Sequence, residues 1–332
     1  MYEKEKNELE RQLAIRKYCS VISTERQKIL SLYLDAYADQ LEKDLYIRNI
    51  AIADSVMLHA GIRKASGKIT DYEYKQLELD QLNNRVMLQK ARMNYEQDMR
   101  KLSEETGIDS IRLSMPDCGR LPARLEFADV HSLAMRNNPQ LVNNRINRLD
   151  AENDLTETLL NTGFNAEISM SYGLNQYADS FVPAYQRPSA QQTVGVTLSI
   201  PVFQWGMGRN KRKIARNRRE QTMLSLRQSE KDLVDEIRDC VTAYNHNMGL
   251  LAVAREKYAL TQELYASAAR KFCTGKLSAI DLSNTGRECL ESKNEMISTM
   301  QEALTGYHRL CGYALYDFAQ GMGFDELYRN DT

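Results

Sequence analysis

From Arg209 to about Phe272 the chain has no proline and its apolar residues recur with helical spacing. Ile237, Val241, Tyr244, Met248 and Leu251 follow alternating steps of four and three, the seam of a coiled-coil-like pairing. At 1.5 Å per residue such a helix is roughly 90 to 100 Å long, longer than a compact domain requires. All six prolines (Pro116, Pro122, Pro139, Pro183, Pro188 and Pro201) fall in the middle of the chain, so the blocks on either side can run as uninterrupted helices.

Between those blocks the period changes from helical to two. Phe164, Ala166, Ile168, Met170, Tyr172 and Leu174 alternate with polar or small residues from Asn165 to Asn175. Val194, Val196, Leu198, Ile200 and Val202 alternate in the same way with Thr193, Gly195, Thr197, Ser199 and Pro201. The pattern predicts two strands of about 9 to 11 residues, the length that crosses a bilayer at a tilt. Phe164, Ile168, Met170, Tyr172, Val194, Val196, Leu198 and Ile200 would then face lipid. Aromatic residues near the ends (Tyr172, Tyr177, Phe181 and Tyr185 on one side, Phe203 and Trp205 on the other) match an interfacial girdle. The loop between, about 175 to 192, is polar. A soluble hairpin with one buried face would alternate identically, and alternation alone does not separate the two.

The flanking blocks are related to each other. Ala36-Tyr37 matches Ala243-Tyr244 and Arg63-Lys64 matches Arg270-Lys271, both at an offset of 207. One added residue then brings Gly67-Lys68-Ile69-Thr70 onto Gly275-Lys276-Leu277-Ser278 at an offset of 208. Thr70 to Glu73 has the form of a capping box, and Ser278 to Asp281 is its aspartate variant, so each block is predicted to be a helical hairpin with a tight Gly-Lys turn at its tip. The tips lie near residues 66–71 and 273–281.

Composition narrows the class. No apolar run approaches the roughly 20 residues of a spanning helix, which excludes insertion through helices. Lys and Arg number 44 against 45 Asp and Glu, so no global field points to nucleic acid. The start, Met1 to Glu8, is charged and carries no export signal. Six scattered cysteines, without a CxxC pair, suggest neither a metal site nor a disulfide scaffold. Free thiols are unexpected in an oxidising compartment.

Three segments carry a family resemblance. Leu125-Glu126-Phe127-Ala128-Asp129, continuing to Ala134-Met135-Arg136-Asn137-Asn138-Pro139-Gln140-Leu141, resembles the opening of a repeat in the TolC-like outer-membrane efflux protein family. Val194 to Phe203, followed by Gly206 and a basic helix start, resembles a second pattern of that family. Arg270-Lys271 through Gly275-Lys276-Leu277-Ser278 to Asp281-Leu282 resembles a third. Gly163-Phe164 departs from the family, which often has a proline entering the first strand.

The resemblance implies a mainly α fold of long antiparallel helical hairpins forming a tunnel, with one transmembrane β-hairpin contributing to a trimeric β-barrel. It implies an incomplete first repeat (1–115), a linker (116–124), a complete second repeat (125–318, with a helix over 125–162, a β-hairpin over 164–204 and a helical hairpin over 209–315) and a tail (319–332). Against the family pattern, the chain lacks the opening quarter, including the signal peptide. One strand hairpin from each of three protomers gives six strands, below the minimum of eight in bacterial barrels, whereas two from each would give twelve.

The resemblance further implies an outer-membrane channel of an efflux or type I secretion system. The expected partners are two further copies of the chain, a periplasmic adaptor, an inner-membrane pump and outer-membrane lipid, with no cofactor, metal or nucleic acid. Gly67, Lys68, Ile69, Thr70, Asp71, Gly275, Lys276, Leu277, Ser278 and Asp281 would form the periplasmic tips, which dock the adaptor and gate the entrance. Asp71 and Asp281 would also cap helices, and a ring of acidic groups there would favour cations.

Other candidate chemistry is weaker. His59, His131, His246 and His308 are scattered, and no HExxH, GxSxG or Walker-type loop is present, so they read as surface or packing residues and no enzyme is expected. The run Arg209, Lys211, Arg212, Lys213, Arg216, Arg218 and Arg219 has no interleaved aromatics and suits a helix start near lipid headgroups better than nucleic acid. The rival accounts are a cytoplasmic coiled-coil scaffold, a nonfunctional fragment of a channel gene, and a helical enzyme or metal carrier.

Overall fold

The computed structural model describes residues 2–163, 165–175, 189–199 and 206–327. In chain order the elements are α1 (Tyr2–Ala65), α2 (Asp71–Thr106), α3 (Phe127–Asn137), α4 (Pro139–Asn161), β1 (Asn165–Asn175), β2 (Ser189–Ser199), α5 (Met207–Cys273), α6 (Ala279–Ala314), β3 (Tyr316–Asp317), β4 (Met322–Gly323) and α7 (Phe324–Leu327). By internal contacts the chain divides into one unit of Met1–Gln12 with Gln140–Asp232 and another of Leu13–Pro139 with Leu233–Thr332. That division cuts across the one expected from sequence, so the two-repeat scheme stands as a proposal about kinship between segments and not about packing.

The second unit is built from the two helical hairpins. Ile237, Val241, Tyr244 and Leu251 of the α5 seam are buried and Met248 is half-buried. Leu251 joins Leu34 and Tyr37 of α1, Leu102 of α2 and Met300 and Leu304 of α6 in one apolar cluster. The 3.5-residue spacing keeps such residues facing neighbouring helices over a long run. The segment after α2 is fixed to this core from both sides. Tyr33 donates its hydroxyl proton to the Ser114 carbonyl (2.7 Å) and accepts the Ser114 N–H (2.8 Å). Asn245 exchanges two hydrogen bonds of 2.9 Å with the backbone of Leu125, and the Tyr244 hydroxyl donates to the Pro122 carbonyl. The stretch expected to be a linker is thus held at Pro122 by α5 and flanked by bonds to α1 at Ser114 and to α5 at Leu125.

The single helix expected over 125–162 is two. Asn138 is extended (φ −61, ψ 127), as the residue before a proline tends to be, and the chain turns there between α3 and α4. The break aims two amides at the end of α6. Asn137 donates to the Ala314 carbonyl (3.0 Å) and Asn138 to the Tyr313 carbonyl (3.2 Å), satisfying acceptors that a helix C-terminus leaves free. The expected tail carries β4 and α7. Beyond Leu315, a non-glycine residue at φ 46, β3 and β4 pair, and Asp317 accepts from the Tyr307 hydroxyl at 2.7 Å.

In the first unit β1 and β2 form an antiparallel pair, with Ala166 opposite Leu198, Ile168 opposite Val196 and Met170 opposite Val194. β2 starts at Ser189, earlier than its apolar alternation, because backbone pairing continues past the last apolar side chain. The loop expected over 175–192 is correspondingly shorter. Near the other end of this unit the Asp150 carboxylate accepts from Tyr2 Oη (2.6 Å) and Lys6 Nζ (2.9 Å).

Carboxylates from α1 and α2 crowd together in the second unit. Burial first, and then the Asp98 carboxyl facing it, push Asp39 up to about 6. Glu42 and Asp35 add to the shift, while Lys293 of α6, almost wholly buried, lies 3.6 Å from Glu42. A carboxyl whose folded pKa lies above its unfolded value of about 4 stabilises the fold below that value, and the contribution is lost as pH rises through about 6. Asp39→Asn is therefore expected to raise the unfolding temperature at pH 7.5 and to change it little at pH 4. A lower unfolding temperature at pH 7.5 would show that the carboxylate is needed. Ile237→Ala, which empties a fully buried seam position, is expected to cost about 2 to 5 kcal/mol in denaturant unfolding.

Candidate functional site

Each hairpin tip is made by one backbone device. At the end of α1, Lys68 N–H reaches the Arg63 carbonyl (2.8 Å) and Gly67 N–H the Lys64 carbonyl (3.0 Å). At the end of α5, Lys276 N–H reaches the Lys271 carbonyl (2.9 Å) and Gly275 N–H the Phe272 carbonyl (2.9 Å). This is the Schellman closure, and it needs a left-handed residue. Gly67 (φ 66) and Gly275 (φ 79) supply it without a Cβ penalty. The bonding register places Arg63 opposite Lys271, not Arg270, so the added residue of the second block lies upstream of the matched Arg-Lys pairs. Those pairs are alike in sequence but shifted by one in structure.

The returning helices start differently. Thr70 Oγ1 accepts the Glu73 N–H (3.2 Å) while Glu73 Oε2 accepts the Thr70 N–H (2.8 Å), a complete capping box. The Thr70 backbone N–H and hydroxyl hold the Glu73 carboxyl below its ordinary value. Ser278 Oγ accepts the Asp281 N–H (3.1 Å), but the shorter aspartate takes the Ser278 hydroxyl proton (2.6 Å) in place of the backbone N–H. Asp71 pairs with Lys64, whose ammonium lowers its pKa and also lies 4.5 Å from the Tyr74 ring centre.

The two tips share one core. Val56, Ala60, Ile69 and Leu77 of the first hairpin pack with Ala268, Phe272, Ala279 and Leu282 of the second, and Leu277 lies against them. Arg63 crosses between the hairpins, donating to the Phe272 carbonyl (2.9 Å) with its guanidinium over the Phe272 ring. Ile69 is therefore buried and Leu277 half-buried, so neither is a free contact residue; they anchor the tips to each other. Gly67, Lys68, Thr70, Asp71, Gly275, Lys276, Ser278 and Asp281 are exposed. Sequence matching found the turns but missed Arg63 and Phe272, whose pairing needs a three-dimensional neighbour. Just behind the tips a cleft of about 570 Å³ opens between the hairpins, with Asp80 accepting from the Ser283 hydroxyl across it.

Ile168, Met170, Tyr172, Val194, Val196 and Leu198 are all highly exposed and share one face of the β-hairpin. Phe164 and Ile200 lie outside the described residues, as do Tyr177, Phe181, Tyr185, Phe203 and Trp205. The opposite face carries Glu167, Ser169, Ser171, Thr193 and Thr197. The basic run opens α5, where Arg216 and Arg219 line a cleft of about 810 Å³ with Arg145, Arg148 and Glu220, and Arg219 lies 3.5 Å from Glu152. His131 packs on Phe127 and His308 edge-on against Tyr307. The cysteines are free, and burial pushes Cys311 up to about 12.

The family model described as outer membrane efflux protein matches residues 130–311. No curated protein sequence gives a significant match. The outer-membrane channel OprN shares the fold with a TM-score of 0.76 at 13% identity, covering 97% of this chain and 71% of that one. The CmeC outer membrane channel of Campylobacter jejuni gives 0.74 at 12% identity, covering 98% and 70%. The outer membrane protein VceC of Vibrio cholerae gives 0.65 at 13% identity, covering 96% and 76%.

Gly275→Ala forces a side chain into the left-handed region and is expected to cost about 1 kcal/mol or more, and Thr70→Ala about 1 kcal/mol for the lost cap. Hydrogen exchange at the tip amides checks both. Unchanged protection in Gly275→Ala would mean that the turn relaxes without the Schellman closure.

Proposed function

The chain belongs to the outer membrane efflux protein family, and from that premise we propose that it is a protomer of a passive outer-membrane channel. In this account three copies surround one conduit. The helices stand in the periplasm, and the β-hairpin contributes to a barrel whose outer face meets lipid. A periplasmic adaptor docks at the exposed tip residues, and an inner-membrane pump of an efflux or type I secretion system supplies the energy. No side chain is required to do covalent chemistry.

The observation that carries the account is the match over residues 130–311, and the β-hairpin supports it. In a soluble domain an apolar strand face is covered, because burial of apolar surface drives folding. Here that face is exposed over the described residues of both strands, with polar residues opposite, as a barrel wall between lipid and water requires. Two strands alone also leave both edges unpaired, which neighbouring strands would satisfy.

At the tips, opening would separate the hairpins held by the Ile69 and Phe272 core and the Arg63 bridge, a two-state shift that adaptor contacts bias. Asp71 and Asp281 would lie at the mouth. Expressed behind an export signal, together with the opening segment that the family pattern carries, in a strain lacking its own channel, the protein is expected to reach the outer membrane and restore drug resistance or substrate export. In planar bilayers the pore is expected to prefer cations, and Asp71→Lys with Asp281→Lys to invert that preference. Recovery only in the soluble fraction, with no restored export, would contradict the account.

A further inference from the structure

The cleft behind the tips is lined by polar groups that have no partner in the protomer. Along α1 the seam that packs on α2 and α6 runs Tyr46, Asn49, Ala53, Val56 and Ala60, in steps of three and four. Asn49 takes an apolar position in that seam and is 5% exposed, yet its amide makes no hydrogen bond. The other asparagine, lysine, serine and threonine side chains buried among the described residues all have a partner, as Asn144 has in Ser229 and Lys293 in Glu42. A buried amide left unpaired is costly, so such a group asks for an explanation. A lone asparagine in a seam fixes register by pairing with a polar residue across it. Asn49 has no such pair and lines the cleft instead.

Two tyrosines line the same cleft. Tyr46 is 8% exposed and, like Tyr265 of α5, makes no hydrogen bond through its hydroxyl. Burial pushes Tyr265 up to about 12, and the Cys289 thiol and the Asp80 carboxylate add to the shift. Gly286 of α6 lets the Tyr265 ring lie close, since a Cβ there would stand 3.1 Å from Tyr265 Cε2. Asp80 of α2 takes the Ser283 hydroxyl proton, and no lysine or arginine pairs with it among the described residues. Arg287 is engaged elsewhere, with Asn284 Oδ1 (3.1 Å) and Glu291 (3.9 Å). The cleft of about 570 Å³ thus holds a carboxylate without a cation, a buried amide and two aromatic hydroxyls, beside apolar walls from Leu77, Leu282 and Leu290. All four polar groups accept hydrogen bonds, and the charge left without a counterpart is negative.

We propose that this cleft binds an organic ammonium, a protonated amine on an aromatic or aliphatic body. Its N–H groups go to the Asp80 carboxylate, Asn49 Oδ1 and the Tyr265 hydroxyl, and its body lies against Leu77, Leu282 and Leu290. The tyrosine rings add attraction for a cation that a neutral ligand of the same shape does not receive. Such a site is complete within one protomer and does not require a conduit to form.

The full chain in detergent is titrated calorimetrically with tryptamine, an indole bearing a primary ammonium, and with tryptophol, in which a hydroxyl replaces the ammonium. Tryptamine is expected to bind more tightly by about tenfold, and Asp80→Asn to remove that preference. Asn49→Leu is expected to weaken tryptamine binding by about tenfold and to raise the unfolding temperature of the unliganded protein, because an apolar seam residue replaces an unpaired amide. Tyr265→Phe, which keeps the ring beside Gly286, is expected to weaken it by about threefold. Equal affinity for the two ligands, or a preference that survives Asp80→Asn, overturns the assignment to a cation; partition into detergent alone gives that result. Where Asn49→Leu lowers the unfolding temperature or does not fold, Asn49 is a register residue and Tyr265→Phe decides: unchanged tryptamine affinity in that variant overturns the placement in this cleft. Binding of neither ligand overturns the site.

Discussion

A helix of 64 or 67 residues has no interior of its own, and the fold depends on burying an apolar seam along such lengths against other helices. Within the second unit that burial is met by two hairpins packed together, and the tightest requirement falls at the tips. There each chain reverses through a left-handed glycine, returns through a hydroxyl cap, and is tied to the other hairpin by Ile69, Phe272 and Arg63. The turn chemistry sets where the helices end, and the common core sets which side chains remain exposed at the end.

This arrangement explains how one tip can be both firm and separable. The backbone closures are local to each hairpin and do not depend on the other hairpin, whereas at the tip the hairpins are joined by an apolar cluster, the Arg63 bridge and the hydrogen bond between Ser283 and Asp80. The opening proposed above would therefore break contacts between elements and leave the elements intact, as bistable packed interfaces favour. The β-hairpin follows the opposite logic: its two strands are paired with each other along their described length, while its apolar face is exposed.

Much of this was legible in the sequence because it rests on local rules. The α5 seam follows from spacing, the tips from a glycine followed by a hydroxyl cap, and the strands from alternation. The features that were not legible depend on partners distant in the chain. Asn137 and Asn138 read as part of a family signature, yet their physical task is to satisfy the end of α6, and Pro139 divides a helix that periodicity alone continues. Residues 116–124 have the composition of a linker but are held by the Tyr244 hydroxyl at Pro122 and by Cys118 in the apolar core. Ile69 adjoins Gly67 and Thr70, which in sequence places it at the exposed tip, whereas three-dimensional packing turns it inward. Matching letters put the added residue of the second block after the Arg-Lys pairs, whereas the hydrogen-bond register puts it before them.

The central claim, that the β-hairpin lies between lipid and water as part of an outer-membrane channel, is tested most directly by spin labels at neighbouring strand positions. Met170→Cys and Ser169→Cys, labelled in the membrane-embedded protein, are compared for accessibility to oxygen, which concentrates in lipid, and to a polar nickel chelate, which stays in water. The account predicts that position 170 meets oxygen and position 169 the chelate. Equal access of the chelate to both positions would contradict it.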